Sequence, residues 1–429
     1  MKVLMFGWEF PPHISGGLGT ACFGLTKGLA KHNIEILFVV PKAYGDESEE
    51  AVRILNASDV TIEIKDEAVL NFWDKITYME IGSNLIPYVG PEEFTRMVEE
   101  ENLRTEKLEG ETLMTRFEFS GVYGTNLMEE VSRYAMVASV MAKKYDYDLI
   151  HAHDWLTYSA GVAAKYATGK PLVVHMHATE YDRSGENVNP DVFRIEQLGM
   201  READYVIAVS NLTRNTVIER YGIDPNKVVT VHNAVEPADK SNFSDIHAAV
   251  QEKIVTFLGR ITYQKGPEYF VEAARLILEK DPNVRFVMAG SGDMLNKMIQ
   301  QVARLRLGSR FHFTGFLRGD NVDRMYAMSD VYVMPSVSEP FGIAPLEAIR
   351  NNAPVVISKQ SGVAEILTHA MKVDFWDTEA LADAIYGLLN YNALDKMFHR
   401  YGKAEVDNLK WENAALKVVD VYQKAVYGI

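Results

Sequence analysis

Short apolar runs alternate along the chain with stretches whose apolar residues recur every three or four positions. Val3–Phe6, Ile36–Val40, Leu149–Ala152, Leu172–His175, Tyr205–Val209 and Val228–Val231 read as buried strands. Such continuous runs mark parallel strands whose two faces are both covered by helices. The same grammar restarts at Ile254–Leu258 and continues through Val284–Met288, Phe311–Thr314, Val331–Met334 and Val355–Ile357. Strand alternating with helix predicts an α/β, doubly wound parallel fold, here built twice.

The two restarts are alike. Residues 4–40 and 255–289 each run strand, glycine-containing loop, helix, strand. Leu18, Ala21, Cys22, Leu25 and Leu29 form one helical face in the first. Phe270, Ala273, Ala274 and Ile277 do so in the second. A boundary is expected near Glu236-Pro237-Ala238-Asp239, giving a first lobe over 1–236 and a second over 237–410. Trp411, Ala415, Val418 and Tyr422 put a closing amphipathic helix over 411–429. Residues 44–130 break the pattern, with acidic runs such as Glu99-Glu100-Glu101 among aromatics; they are expected to form an insertion in the first lobe.

Composition narrows the classes. The 429 residues, 47% hydrophobic and 24% charged, suffice for more than one sizeable core. With 44 Lys and Arg against 59 Asp and Glu the net charge is -15, so nucleic-acid binding by charge neutralisation is excluded as the main activity. Cys22 is the sole cysteine, which rules out an internal disulfide and a thiolate metal cluster. The apolar run at Val3–Phe6 is too short for a signal segment, and no apolar run reaches the roughly 18 residues of a membrane span. A cytoplasmic enzyme is expected, and the sequons at Asn56, Asn211 and Asn242 then carry no glycan.

Three loops carry chemistry. Pro11-Pro12-His13-Ile14-Ser15-Gly16-Gly17-Leu18-Gly19 lies between a strand and a helix. Glycines let backbone N–H groups approach a ligand, and the helix start adds partial positive charge, a setting for a diphosphate. A plain tight turn would use the same glycines. Next, Gly259-Arg260-Ile261-Thr262-Tyr263-Gln264-Lys265-Gly266 places two cations on one loop. They can converge on an anion and stabilise charge on a leaving group, or stand as solvated surface cations. The third is Ser338-Glu339-Pro340-Phe341-Gly342-Ile343-Ala344-Pro345-Leu346-Glu347, after a strand. Pro345 marks a helix start, so the amides of Phe341, Gly342 and Ile343 become donors at a positive helix end. Glu339 precedes them and Glu347 follows on the helix; as a bland pair they would only favour the helix dipole.

Together the E-x7-E pattern, the Arg-x4-Lys loop and the Gly-Gly loop resemble nucleotide-sugar glycosyltransferases of the GT-B fold, retaining, family four, over most of the chain. The resemblance implies two Rossmann-like lobes facing a cleft, with the C-terminal helix crossing back to brace the first. It implies that Arg260 and Lys265 grip the donor diphosphate. Glu339 stands beside the donor sugar, whose hydroxyls also meet the amides of Phe341, Gly342 and Ile343. Glu347 takes the ribose hydroxyls, the Gly17 amide faces the phosphates, and the Leu317 backbone meets the base.

His151-Ala152-His153-Asp154-Trp155 and Val174-His175-Met176-His177-Ala178-Thr179-Glu180 close two strands, whose C-terminal ends line the cleft in such sheets. This pair resembles glycogen and starch synthases. It implies His177 at the donor sugar and Asp154 toward the acceptor. Residues i and i+2 of a strand share a face, so a zinc site of His151, His153, His175 and His177 has the spacing. No metal or cofactor is expected for transfer, since the family needs none, and His151 and His175 also suit a satisfied core. Asp146-Tyr147-Asp148 spells the D-x-D of the metal-dependent fold but precedes a strand in a Rossmann context, and reads as coincidence. There is one departure: bacterial glycogen synthases carry Lys-Thr where Ile14-Ser15 stand, which removes a cation from an ADP-glucose site. The position of Glu347 also follows family four and not the sister family of bacterial synthases.

The expected activity is transfer of glucose from UDP- or ADP-glucose to a glucan 4-OH. The resemblance to family four leaves glucose 1-phosphate, fructose or a surface polysaccharide as other acceptors. A GT-B epimerase and a non-catalytic glycan binder are disfavoured by the intact charged set. A nicotinamide dehydrogenase is disfavoured because neither lobe opens with G-x-G-x-x-G.

Overall fold

The computed structural model describes residues 1–13, 16–63, 106–107, 113–121, 127–236 and 252–428. In chain order the first lobe contributes β1 (Lys2–Phe6), β2 (Glu35–Val40), β3 (Arg53–Asn56), β4 (Thr61–Glu63), β5 (Glu106–Lys107), β6 (Leu113–Arg116), β7 (Leu149–His153), β8 (Leu172–Met176), β9 (Tyr205–Ala208) and β10 (Val228–Thr230). The second contributes β11 (Lys253–Leu258), β12 (Val284–Ala289), β13 (Phe311–Gly315), β14 (Val331–Met334), β15 (Val355–Ser358) and β16 (Met371–Val373).

Two sheets of parallel strands with flanking helices result. The first runs β10-β9-β8-β7-β1-β2-β3 and the second β13-β12-β11-β14-β15-β16. Every expected strand appears at or within a residue or two of its apolar run. Side-chain alternation explains the two covered faces of the first sheet. Leu4 and Phe6 join the core with Tyr134 and Val137. Val3 and Met5 point the other way, to Leu25, Leu29, Trp411, Val418 and Tyr422.

Residues 44–130 are not wholly apart from that sheet. Arg53–Asn56 pairs in parallel with β2 as its seventh strand. Beyond it, β4 and β5 flank β6 in a small antiparallel sheet. Residues 64–105, 108–112 and 122–126 of that stretch, Ile14-Ser15, and Pro237-Ala238-Asp239 of the expected boundary lie outside the described residues.

The last helix, Trp411–Tyr427, returns to the first lobe and lies along Gly17–Lys31. Close approach requires small residues. A Cβ at Gly24 would stand 2.2 Å from the Trp411 indole, and one at Gly28 2.5 Å from the Trp411 carbonyl oxygen. Lys31 pairs with Glu412, and His32 Nε2 lies 2.9 Å from the Glu412 carbonyl oxygen.

Both sheets have a switch in winding direction. In the first, the chain leaves β1 toward β2 and β3, then returns on the far side of β1 through β7. In the second, it leaves β11 toward β12 and β13 and returns through β14. Ligands of open α/β sheets bind in the crevice at the C-terminal ends of such strands. All three glycine-bearing motifs follow one of these four strands, and the His-x-His-Asp segment closes β7.

Candidate active site

The second-lobe crevice is built by two loops. Lys265 closes a single 3-10 turn, Tyr263–Lys265, after β11. Gly266 then has φ +64, and a Cβ there would meet the Pro335 carbonyl oxygen at 2.1 Å, so only glycine lets this loop lie against the one after β14. The result is contact between the motifs: Lys265 Nζ pairs with Glu339, which is buried, and the Ser336 hydroxyl donates to the same carboxylate at 3.2 Å. Arg260 is exposed, its guanidinium 3.4 Å from Gln264 Oε1.

Glu339 is held by its backbone as well. Its N–H donates to Gln360 and its carbonyl accepts from Gly362. Gly342 has φ +96. Among the described residues the amides of Phe341, Gly342 and Ile343 meet no acceptor, and the helix Ala344–Arg350 begins directly after them with Pro345 in its first turn. Glu347 lies on that helix, and burial raises its carboxyl above the ordinary value against the opposing pull of Arg350. Leu317 is half-buried and packs on Ile254, Val287 and Met325.

In the first lobe, Gly16 and Gly17 are exposed, and nothing stands within 4 Å of a Cβ built at either. Buried Glu9 accepts from the Gly19 N–H at 3.2 Å and so holds the helix start. His153 and His177, at the ends of adjacent strands, bring ring nitrogens to 3.0 Å. Burial holds His177 neutral, its pKa down to about 4, and pushes His151, His153 and His175 well below the imidazole range. The four rings stack across β7 and β8, with His175 and His177 centroids 4.4 Å apart.

Asp154 is not a free carboxylate. It is buried at φ +63, caps its helix by accepting from Trp155 N at 2.7 Å, and pairs with Arg183 at 2.9 Å. Arg183 also bonds Glu196 at 2.8 Å and the Ala178 carbonyl at 2.7 Å, fixing the segment that follows His177.

The lobes meet beside this segment. Ser338 Oγ donates to Asp182 Oδ1 at 2.5 Å, and the helix Glu180–Ser184 packs on the Tyr263–Lys265 turn. Sequence reasoning gives no role to Arg183 or Asp182, and takes Ser338 only as the first residue of its loop. The Thr179-Asp182 capping box was a readable local signal for Asp182; the other links join residues far apart in the chain.

A pair of Rossmann-like lobes with a cationic loop, an amide-rich helix start and a glycine bend at their switch points defines a glycosyltransferase of GT-B architecture. The chain belongs to the glycosyl transferases of group 1. That family's model matches residues 239–405, and the model for glycosyltransferase family 4 matches 125–239. An uncharacterized glycosyltransferase of Methanocaldococcus jannaschii is 29% identical over 99% of both chains. A glycogen synthase of Mycobacterium tuberculosis is 24% identical over 100% of this chain and 96% of its own. The alpha-maltose-1-phosphate synthase of Mycolicibacterium smegmatis is 31% identical over 64% of this chain and 79% of its own. In fold, sucrose-phosphate synthase from Thermosynechococcus elongatus superposes with TM-score 0.71 at 18% identity, covering 99% of this chain and 98% of that one. No helix among the described residues is long and apolar enough to cross a membrane.

Proposed function

We propose that the chain is a retaining hexosyltransferase that moves glucose from UDP- or ADP-glucose to the non-reducing end of an α-1,4-glucan. The observation that carries the reading is the meeting of Lys265 and Glu339 at one switch point, with Ser338 of the same loop bonded to Asp182 in the His177 segment. A cation for a departing diphosphate and a carboxylate for sugar hydroxyls thereby lie at the junction of the lobes. The full-length likeness to a glycogen synthase supports the glucan acceptor.

On this reading Arg260 and Lys265 stabilise negative charge as the sugar–phosphate bond breaks. The amides of Phe341, Gly342 and Ile343, with Glu339, hold the sugar, and Glu347 holds the ribose. Gly17 closes on the phosphates from the first lobe, and the Leu317 backbone meets the base. No carboxylate of the set stands as an obvious nucleophile, which favours a front-face route in which the leaving phosphate takes the acceptor proton. His177, neutral, offers a hydrogen bond to the sugar. Asp154 acts through Arg183, orienting the acceptor side. Metal has no part in the transfer.

The likeness to a maltose-1-phosphate synthase favours glucose 1-phosphate as a second acceptor candidate. One experiment separates the readings: nucleoside diphosphate release from a donor panel, with glycogen, with glucose 1-phosphate, or with neither. Stimulation by glycogen supports the polymer reading. Stimulation by glucose 1-phosphate alone replaces it. An NMR assignment of the first-formed anomer tests retention.

A further inference from the structure

The sole cysteine is brought by folding to the histidines. Cys22, on the helix Gly17–Lys31, is buried, and its Sγ and one nitrogen each of His153 and His177 lie within 4.8 Å of one another. The sequence gives no spacing signal for this, because more than a hundred residues separate Cys22 from His153. We propose that Cys22, His153 and His177 form a binding site for one borderline-soft divalent ion of the zinc class.

Two observations carry it. The first is the donor set. One thiol and two imidazoles are the ligand types zinc prefers, and three protein ligands leave a fourth place for water. His177, half-buried, gives solvent an approach that Cys22 and His153 lack.

The second is spacing. A tetrahedral ion about 2.0–2.1 Å from two nitrogens holds them roughly 3.3–3.4 Å apart. His153 Nδ1 and His177 Nε2 stand at 3.0 Å, so a small rotation of either ring sets the nitrogen pair, and the Cys22 sulfur, within 4.8 Å, has to close to roughly 3.5–3.6 Å of them.

Binding breaks the Cys22 S–H bond, forms a sulfur–metal bond and releases the proton to solvent, with no change of oxidation state. The ion takes the His177 nitrogen that faces His153, so the bond to the donor sugar in the proposed function falls to the other ring nitrogen of His177; the site does not depend on which donor base or acceptor the enzyme uses.

Because the chain has one cysteine, a thiolate-to-metal charge-transfer band reports Cys22 alone. The test titrates Co2+ into tag-free full-length protein without nucleotide. The expected result is a charge-transfer band that saturates at one equivalent, is bleached by Zn2+ and vanishes in Cys22→Ser. In His177→Asn its midpoint shifts at least tenfold. Wild-type protein that shows no such band overturns the proposal, whatever the variants do. So does a folded His177→Asn protein with an unchanged midpoint, since the thiol would then bind without the imidazoles.

Discussion

Lys265→Ala probes stability and catalysis through one side chain. Its ammonium pairs with Glu339, a carboxylate almost wholly buried. Removing one partner of a buried pair costs about 3–5 kcal/mol, because the other charge is left uncompensated. Lys265 is 22% exposed, and the Ser336 hydroxyl stays 3.2 Å from Glu339, so the lower end of that range applies. On the proposed reading the same change removes a positioned charge from the departing diphosphate. One such preorganised donor is worth about 10²–10³-fold in kcat, or about 2.7–4 kcal/mol. A second substitution separates the effects: in Lys265→Ala/Glu339→Gln the orphaned charge is gone, so most of the stability returns while turnover stays low. Urea unfolding followed by tryptophan fluorescence reads the first effect, and nucleoside diphosphate release the second. A Lys265→Ala enzyme with kcat within threefold of wild type refutes the clamp. A double variant no more stable than the single one refutes the account of the ion pair.

The other contacts yield expectations of their own. Trp411→Ala empties the groove over Gly24 and Gly28 and should cost about 3–5 kcal/mol; limited proteolysis should then cut the C-terminal helix first, and unchanged protease resistance would count against its bracing role. Glu365 accepts from the Asn211 and Leu212 amides at 2.9 and 2.7 Å and from His232 at 2.7 Å, so a second-lobe carboxylate caps a first-lobe helix. Glu365→Ala should cost about 1–2 kcal/mol and widen the lobe distribution in small-angle scattering, and an unaltered scattering curve would sink the latch. Glu347, raised by burial, takes up a proton at higher pH than an ordinary glutamate. Falling pH then turns it from a charged, two-oxygen acceptor into a weaker neutral one, so on the proposed reading the donor KM should rise on the acid side, while Glu347→Gln should show a high KM without that slope.

What the sequence made legible follows from what leaves a local trace. Strands buried on both faces must be apolar throughout, so Val3–Phe6 or Val355–Ile357 announce themselves. Edge strands need not be: Arg53–Asn56 and Met371–Val373 each carry an exposed charged residue, and the periodicity passes over them. The strands of the small antiparallel sheet are only 3, 2 and 4 residues long, too short for an alternation to register. The loop motifs were readable because glycine and charge recur at fixed spacing beside a strand end. Links set by tertiary folding leave no spacing: Ser338 meets Asp182 across 156 positions, and His151 Nδ1 meets the Tyr422 hydroxyl at 2.6 Å across 271. Tyr422 was legible only as a core position of an amphipathic helix, because its hydroxyl partner depends on where that helix docks.

The pairing of Lys265 with Glu339 bears on how a donor enters. Arg260 is exposed and only loosely tied to Gln264, so on the proposed reading it is the cation an incoming diphosphate meets first. On that reading Lys265 exchanges Glu339 for phosphate. On the proposed reading that exchange is useful: it frees a carboxylate oxygen still held in place by Ser336, at the moment sugar hydroxyls arrive to be bound. Glu339 is then a competitor of the phosphate as well as a partner of the sugar. Glu339→Gln should therefore act in opposite directions on two ligands. Loss of the charge-assisted bond to Lys265 favours the bare nucleoside diphosphate by about 1–2 kcal/mol, or roughly five- to thirtyfold in Kd. The intact nucleotide sugar loses its carboxylate acceptor, so kcat falls. Calorimetric titration of UDP and ADP into wild-type and variant protein reads the first effect, and turnover reads the second. If the variant binds both diphosphates more weakly, Glu339 supports the clamp instead of competing for it, and the exchange step is wrong.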